Sequence, residues 1–221
     1  MNVKYRLLVP SMMNIFCLCA VLAKLEMRET TGIFSIVFCA LFLWVPSLIK
    51  RFLRINIPAI FEYTGICQMF ACIALGSGLG FYYLFPAWDI IAHTVSGTLW
   101  SFGALWFLYI CRQKLNDWML ILYSFLFSTT TSVLWEIYEF LADRIRDASD
   151  MQRAKFVSSG VEGVMDTMTD LICNFVGCII FIGIFIYDKK KKESAIMINF
   201  ENECNRIKKE ENEEDLEVYG E

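Results

Sequence analysis

The chain has 221 residues, of which 57% are hydrophobic, 15% aromatic and 20% charged, with a formal charge of −4; its mean hydropathy is +0.48. A soluble domain is about 45–50% apolar and about 25% charged, so long apolar runs between short charge clusters exclude an ordinary soluble domain and mark a bilayer-spanning one. The negative charge lies mostly in the last 34 residues, and no basic stripe with interleaved aromatics occurs, which excludes a nucleic-acid binder.

A helix needs roughly 20 apolar residues to cross a bilayer. Six segments meet that need, at about 7–23, 31–49, 59–85, 90–111, 118–141 and 164–187. The expected fold is therefore all-α, one polytopic membrane helix bundle over residues 1–187. Lys4 and Arg6 precede the first segment. No small-x-small cleavage site stands before Lys24, so this segment reads as a membrane anchor rather than a signal peptide. Pro58 and Pro86 punctuate the third segment. One long polar connection, 143–163, separates the fifth and sixth. Residues 188–221 form a charged tail, low in aromatics, that reads as mobile and partly helical around 205–214.

The charge distribution predicts orientation. With six spans the termini share a side. That side carries Lys4, Arg6, Lys50, Arg51, Arg54, Arg112, Lys114 and Lys189 to Lys192, eleven cations against the six at Lys24, Arg28, Arg144, Arg146, Arg153 and Lys155. Both termini are expected to be cytoplasmic.

Eight of the nine cysteines (Cys17, Cys19, Cys39, Cys67, Cys72, Cys111, Cys173 and Cys178) lie in or beside apolar runs, and there is no CxxC pair. They read as small packing residues rather than disulfides or zinc ligands.

Ionisable residues within spans are costly and each calls for a reason. Three clusters occur. Asp89 and His93, the sole histidine, sit four apart at the start of the fourth span. Glu136 and Glu139 close the fifth, after Ser124, Ser128 and Ser132 at four-residue intervals. Asp166, Asp170 and Asn174 open the sixth. Spacings of three and four place each set on one helix face. Alternating spans bring all three clusters to the same side of the membrane, the extracytoplasmic one by the charge count. Five carboxylates side by side need protons or a cation between them. Oxygen donors with one imidazole suit Mg, Mn, Ca or Zn, and such a metal can activate water.

That gives a concrete expectation: Asp89, His93, Asp166 and Asp170 as metal ligands, Glu136 and Glu139 as catalytic carboxylates with one of them the general base, and Asn174 in support. The natural substrate would be a lipid-linked or cell-envelope molecule. Each residue also has an ordinary reading. Asp89 and Asp166 suit the first turns of helices, and Trp88 and Trp135 suit the interfacial aromatic belt. Two other functions fit the same residues. One is a proton- or cation-coupled transporter. The other is a non-catalytic accessory protein packed against a membrane partner.

The motifs Trp88-Asp89-xxx-His93-xxx-Gly97, Trp135-Glu136-xx-Glu139 and Asp166-xxx-Asp170-xxx-Asn174-xx-Gly177 resemble the YjdF-like family of bacterial inner-membrane proteins. The VanZ-like family shares a looser version. The resemblance covers roughly residues 30–187 and leaves the tail outside it. It implies a multi-pass protein of the bacterial plasma membrane, with Asp89, His93, Glu136, Glu139, Asp166 and Asp170 as the shared site. It implies no substrate and no protein partner.

Overall fold

The computed structural model describes residues 7–53, 57–85, 87–111, 113, 115–145, 151–152 and 161–191, with isolated positions at 202, 205 and 209. Most of the expected tail, most of the 143–163 connection, and the cations Lys4, Arg6, Arg54, Arg112, Lys114, Arg146, Arg153, Lys155 and Lys192 lie outside the described residues. What is described is helical, with no strand among the described residues.

The chain divides into two units, Met1–Asp89 with Glu193–Glu221, and Ile90–Lys192. The first unit begins with α1 (Leu8–Glu26) and turns through Lys24 and Glu29, which pair at 2.8 Å. It continues in α2 (Ile33–Phe42) and α3 (Val45–Leu53). Gly32 caps α2 with a φ of 77°, and a Cβ there would collide with the Gly78 carbonyl oxygen. Its lack of a side chain thus serves both the left-handed turn and a close helix approach. Cys17, Ile36, Cys39, Leu43, Ile66 and Ala74 form the apolar core, so two of the expected cysteine packing sites fall where small apolar residues belong.

The stretch 59–85 is helical in three pieces. Helix α4 (Ala59–Met69) starts after Pro58, whose carbonyl accepts from the Phe61 and Glu62 amides. A π-helical segment, Phe70–Gly78, follows, then α5 (Phe81–Leu84) after Gly80 at a φ of 76°. Gly76, Gly78 and Gly80 sit where the wider winding and the reversal occur. Glycine resists neither, and π segments within helices recur at functional positions.

The second unit holds most of α6 (Trp88–Ile110), with α7 (Asp117–Ile145) and α8 (Val161–Lys190). Helix α7 is polar inside and apolar outside. Its buried residues are Ser124, Ser128, Ser132, Glu136, Glu139 and Ala142, while Leu126, Val133, Leu134, Ile137, Phe140 and Leu141 are exposed. Such inversion is stable only where the surroundings are hydrocarbon. Helix α8 likewise exposes Ile172, Val176, Ile179, Ile180 and Ile186. Four described helical stretches, Leu8–Glu26, Ile33–Phe52, Asp117–Ile145 and Gly163–Lys190, are long and apolar enough to cross a membrane. Helix α6 is also long, at 23 residues, but Asp89, His93 and its Ser, Thr and Gly residues dilute its hydropathy.

Two glycines seat α6 against α8. A Cβ on Gly97 would strike the Asn174 carbonyl oxygen, and one on Gly177 would strike that of Thr94. The backbones therefore touch, as in small-residue membrane packing. The Thr98 hydroxyl donates to the Gly177 carbonyl at 2.9 Å. Helix α7 joins through Ser128, whose hydroxyl donates to the Gly97 carbonyl at 2.9 Å.

Candidate functional site

Glu136 and Asp170 meet because α7 and α8 run antiparallel in a defined register. Asp117 and Lys189 pair at 3.1 Å where α7 begins and α8 ends. Nineteen residues on from Asp117 lies Glu136, and nineteen back from Lys189 lies Asp170. At 1.5 Å per residue both lie about 28 Å from that ion pair. This matches the roughly 30 Å hydrocarbon thickness. The ion pair and the acidic cluster thus belong to opposite ends of the spans.

At the acidic end, carboxylate oxygens of Glu136, Glu139 and Asp170 all lie within 4.8 Å of one another. The three residues are only 4%, 7% and 2% exposed. The Trp135 indole N–H donates to Glu139 Oε1 at 2.7 Å, one helical turn apart, and so orients that carboxylate. Neither oxygen of Glu136 has a hydrogen-bond partner among the described residues. From α6, His93 Nε2 stands 3.6 Å from Asp170 Oδ2. That distance is long for a hydrogen bond. It is near the separation of about 3.4 Å expected for two ligands sharing one tetrahedral metal.

Three ionised carboxylates this close repel strongly. At an effective dielectric of about 20, each pair costs about 3–4 kcal/mol. A cation among them, or protons shared between them, removes most of that cost. The donor set fits a divalent ion: three carboxylates with two orphaned oxygens, and an imidazole alongside.

Asp89 is buried one turn before His93 on α6. Asp166 lies one turn before Asp170, half-buried, and stays outside the converging trio of carboxylates. Asn174 is buried, and its Oδ1 accepts from the Cys178 thiol at 3.7 Å. Asp143, one turn beyond Glu139, accepts from the amides of Met151 and Gln152 at 2.8 and 2.9 Å. Gln152 in turn donates to the Thr167 hydroxyl at 2.9 Å. The turn at 151–152 is thereby tied to both α7 and α8 beside the acidic end.

Two contributors were not legible as such. Trp135 reads from sequence as an interfacial anchor, yet its N–H holds Glu139; the four-residue spacing was the available signal. Gly97 reads as part of a motif, yet its carbonyl accepts from both Ser101, at 2.8 Å, and Ser128.

A family described as Predicted membrane protein (DUF2238) matches residues 8–191. An uncharacterized protein of Thermotoga maritima is 30% identical over 150 residues, covering 66% of this chain and 71% of that protein. No solved structure matches.

Proposed function

This chain belongs to the DUF2238 family of predicted membrane proteins, and from that premise we propose that it is a plasma-membrane protein that binds a divalent metal ion at one end of its helices. The observation that carries this reading is the buried trio Glu136, Glu139 and Asp170, with carboxylate oxygens within 4.8 Å of one another and neither Glu136 oxygen hydrogen-bonded among the described residues. Burying such a group without a partner is expensive, and a metal ion supplies the missing partner. His93 joins from α6 as a nitrogen donor. Asp89 and Asp166 flank the site from the preceding turns of their own helices. Of the ions considered, Mn and Zn accept an imidazole most readily, while Mg and Ca prefer oxygen alone.

A divalent metal so held would acidify a bound water. On that basis the activity is hydrolysis or transfer on a lipid-linked or envelope molecule, because such substrates reach a site at the membrane interface. Whichever of Glu136 and Glu139 is not engaged with the metal serves as the general base. The eleven-to-six cation count supports cytoplasmic termini and a site on the outer face. The resemblance of the three motifs to the YjdF-like family supports a plasma-membrane location.

The test is elemental analysis of the detergent-purified protein after incubation with Mn²⁺, Zn²⁺, Mg²⁺ or Ca²⁺, beside Asp170→Asn. About one metal per chain, lost in the variant, supports the reading. No metal under any of these conditions overturns it, and leaves a network of shared protons.

A further inference from the structure

Helix α7 carries a second feature that the acidic trio does not explain. Ser124, Ser128, Ser132 and Glu136 recur at four-residue intervals on its buried face. The three serines are 0%, 0% and 6% exposed. Ser128 donates to the Gly97 carbonyl, but the Ser124 and Ser132 hydroxyls make no hydrogen bond among the described residues. With both Glu136 oxygens, four buried polar atoms on one face thus lack hydrogen-bond partners among the described residues. Buried polar atoms in proteins are nearly always satisfied, by protein or by ordered water. An orphan hydroxyl in a span costs about 1–3 kcal/mol, so repeating it along one face calls for a ligand.

Water fits the spacing. Side chains four residues apart on a helix stand about 5–6 Å apart. One water hydrogen-bonded to each of two hydroxyls, at about 2.8 Å per bond, closes that gap. A buried water needs two to four polar partners. Successive serines supply two. The Gly97 carbonyl, whose two lone pairs already accept from Ser101 and Ser128, marks the polar lining from α6. The face from Ser124 to Glu136 covers twelve residues, or about 18 Å of helix. That is more than half of the roughly 30 Å hydrocarbon layer. Beyond Ser124 the helix leads to the end where Asp117 pairs with Lys189 and where Asp188 is buried.

We propose that the Ser124–Ser128–Ser132 face of α7 holds a file of bound water molecules that runs from the acidic site towards the opposite end of the spans. Such a file supplies water to the acidic site from inside the protein. It stands on the serine hydroxyls and does not depend on which ion, if any, the carboxylates bind.

X-ray radiolytic footprinting of the full chain in nanodiscs tests it, because hydroxyl radicals formed from a bound water oxidise the side chain beside it. Cysteine is the reporter, introduced by Ser124→Cys, Ser132→Cys and, on the lipid-facing side, Val133→Cys. Peptide mass spectrometry assigns each oxidation, so the native cysteines stay in place. The expected result is oxidation at 124 and 132 at least tenfold faster than at 133. Equal slow rates at all three positions overturn the proposal. Serine and cysteine are close in size, and each of the two reporters decides the matter without the other, so one misfolded variant does not remove the test. Elemental analysis of the same samples separates this result from that of the metal reading: oxidation at 132 in a metal-free protein supports the water file alone.

Discussion

His93 Nε2 and Asp170 Oδ2, carried by different helices, stand 3.6 Å apart with the Asp170 side chain almost wholly buried. Their approach depends on the backbone contact made by Gly97 and Gly177 a turn or two further along the same two helices. The pair ties helix packing to site geometry, and the predictions follow from that link.

Asp170→Asn keeps the shape of the side chain but removes the charge and part of the donor capacity. It should weaken metal binding by at least 100-fold while leaving the helices assembled. Titration calorimetry with Mn²⁺ or Zn²⁺, beside gel filtration, reads both. Unchanged affinity would remove Asp170 from the site.

Trp135→Phe deletes the indole N–H that holds Glu139 Oε1 and keeps the ring. Partners that orient a ligand are typically worth 10–100-fold in affinity. A loss in that range is expected, with little change in thermal stability. A variant that binds metal as tightly as the parent would show that Glu139 needs no such restraint.

Gly97→Ala and Gly177→Ala each place a methyl group against the facing backbone, at the Asn174 and Thr94 carbonyls respectively. Overpacking of this kind costs about 1–3 kcal/mol, and the helices must also separate. Lower resistance to SDS or heat is expected for both. Metal affinity should fall as well, because His93 and Asp170 move apart with the helices.

Ser128→Ala removes the hydroxyl that donates to the Gly97 carbonyl. Interhelical hydrogen bonds in membranes average about 0.6 kcal/mol. The change in unfolding free energy should therefore be several-fold smaller than for Gly97→Ala. A larger loss would mean that Ser128 organises more than this one contact.

Fusions at the C-terminus report orientation. A green fluorescent protein placed after Glu221 should fluoresce, and an alkaline phosphatase placed there should be inactive, if the termini are cytoplasmic. The reverse pattern would put the acidic end on the inner face.

Much of this architecture is legible in the sequence because hydrocarbon imposes two demands that a linear chain reveals. Spans must be long and apolar, and any polar residue within them must share a face. The serine and glutamate positions of α7, spaced by four, therefore read as a buried stripe before any coordinates are known. The acidic groups of α7 and α8 read as lying at one end, because alternate spans reverse direction. The three-piece helix over 59–85 was not legible, since hydropathy does not distinguish an α from a π winding. Periodicity places Asp166 and Asp170 on one face, yet only the axial register of α8 against α7 sets which of them meets Glu136 and Glu139. Four residues span about 6 Å of helix, so a slip of one turn exchanges a converging carboxylate for a flanking one. That register is held by the Asp117–Lys189 pair and by Gly97, Gly177 and Ser128, where the helices touch, and contact between distant segments is a property of the tertiary structure alone.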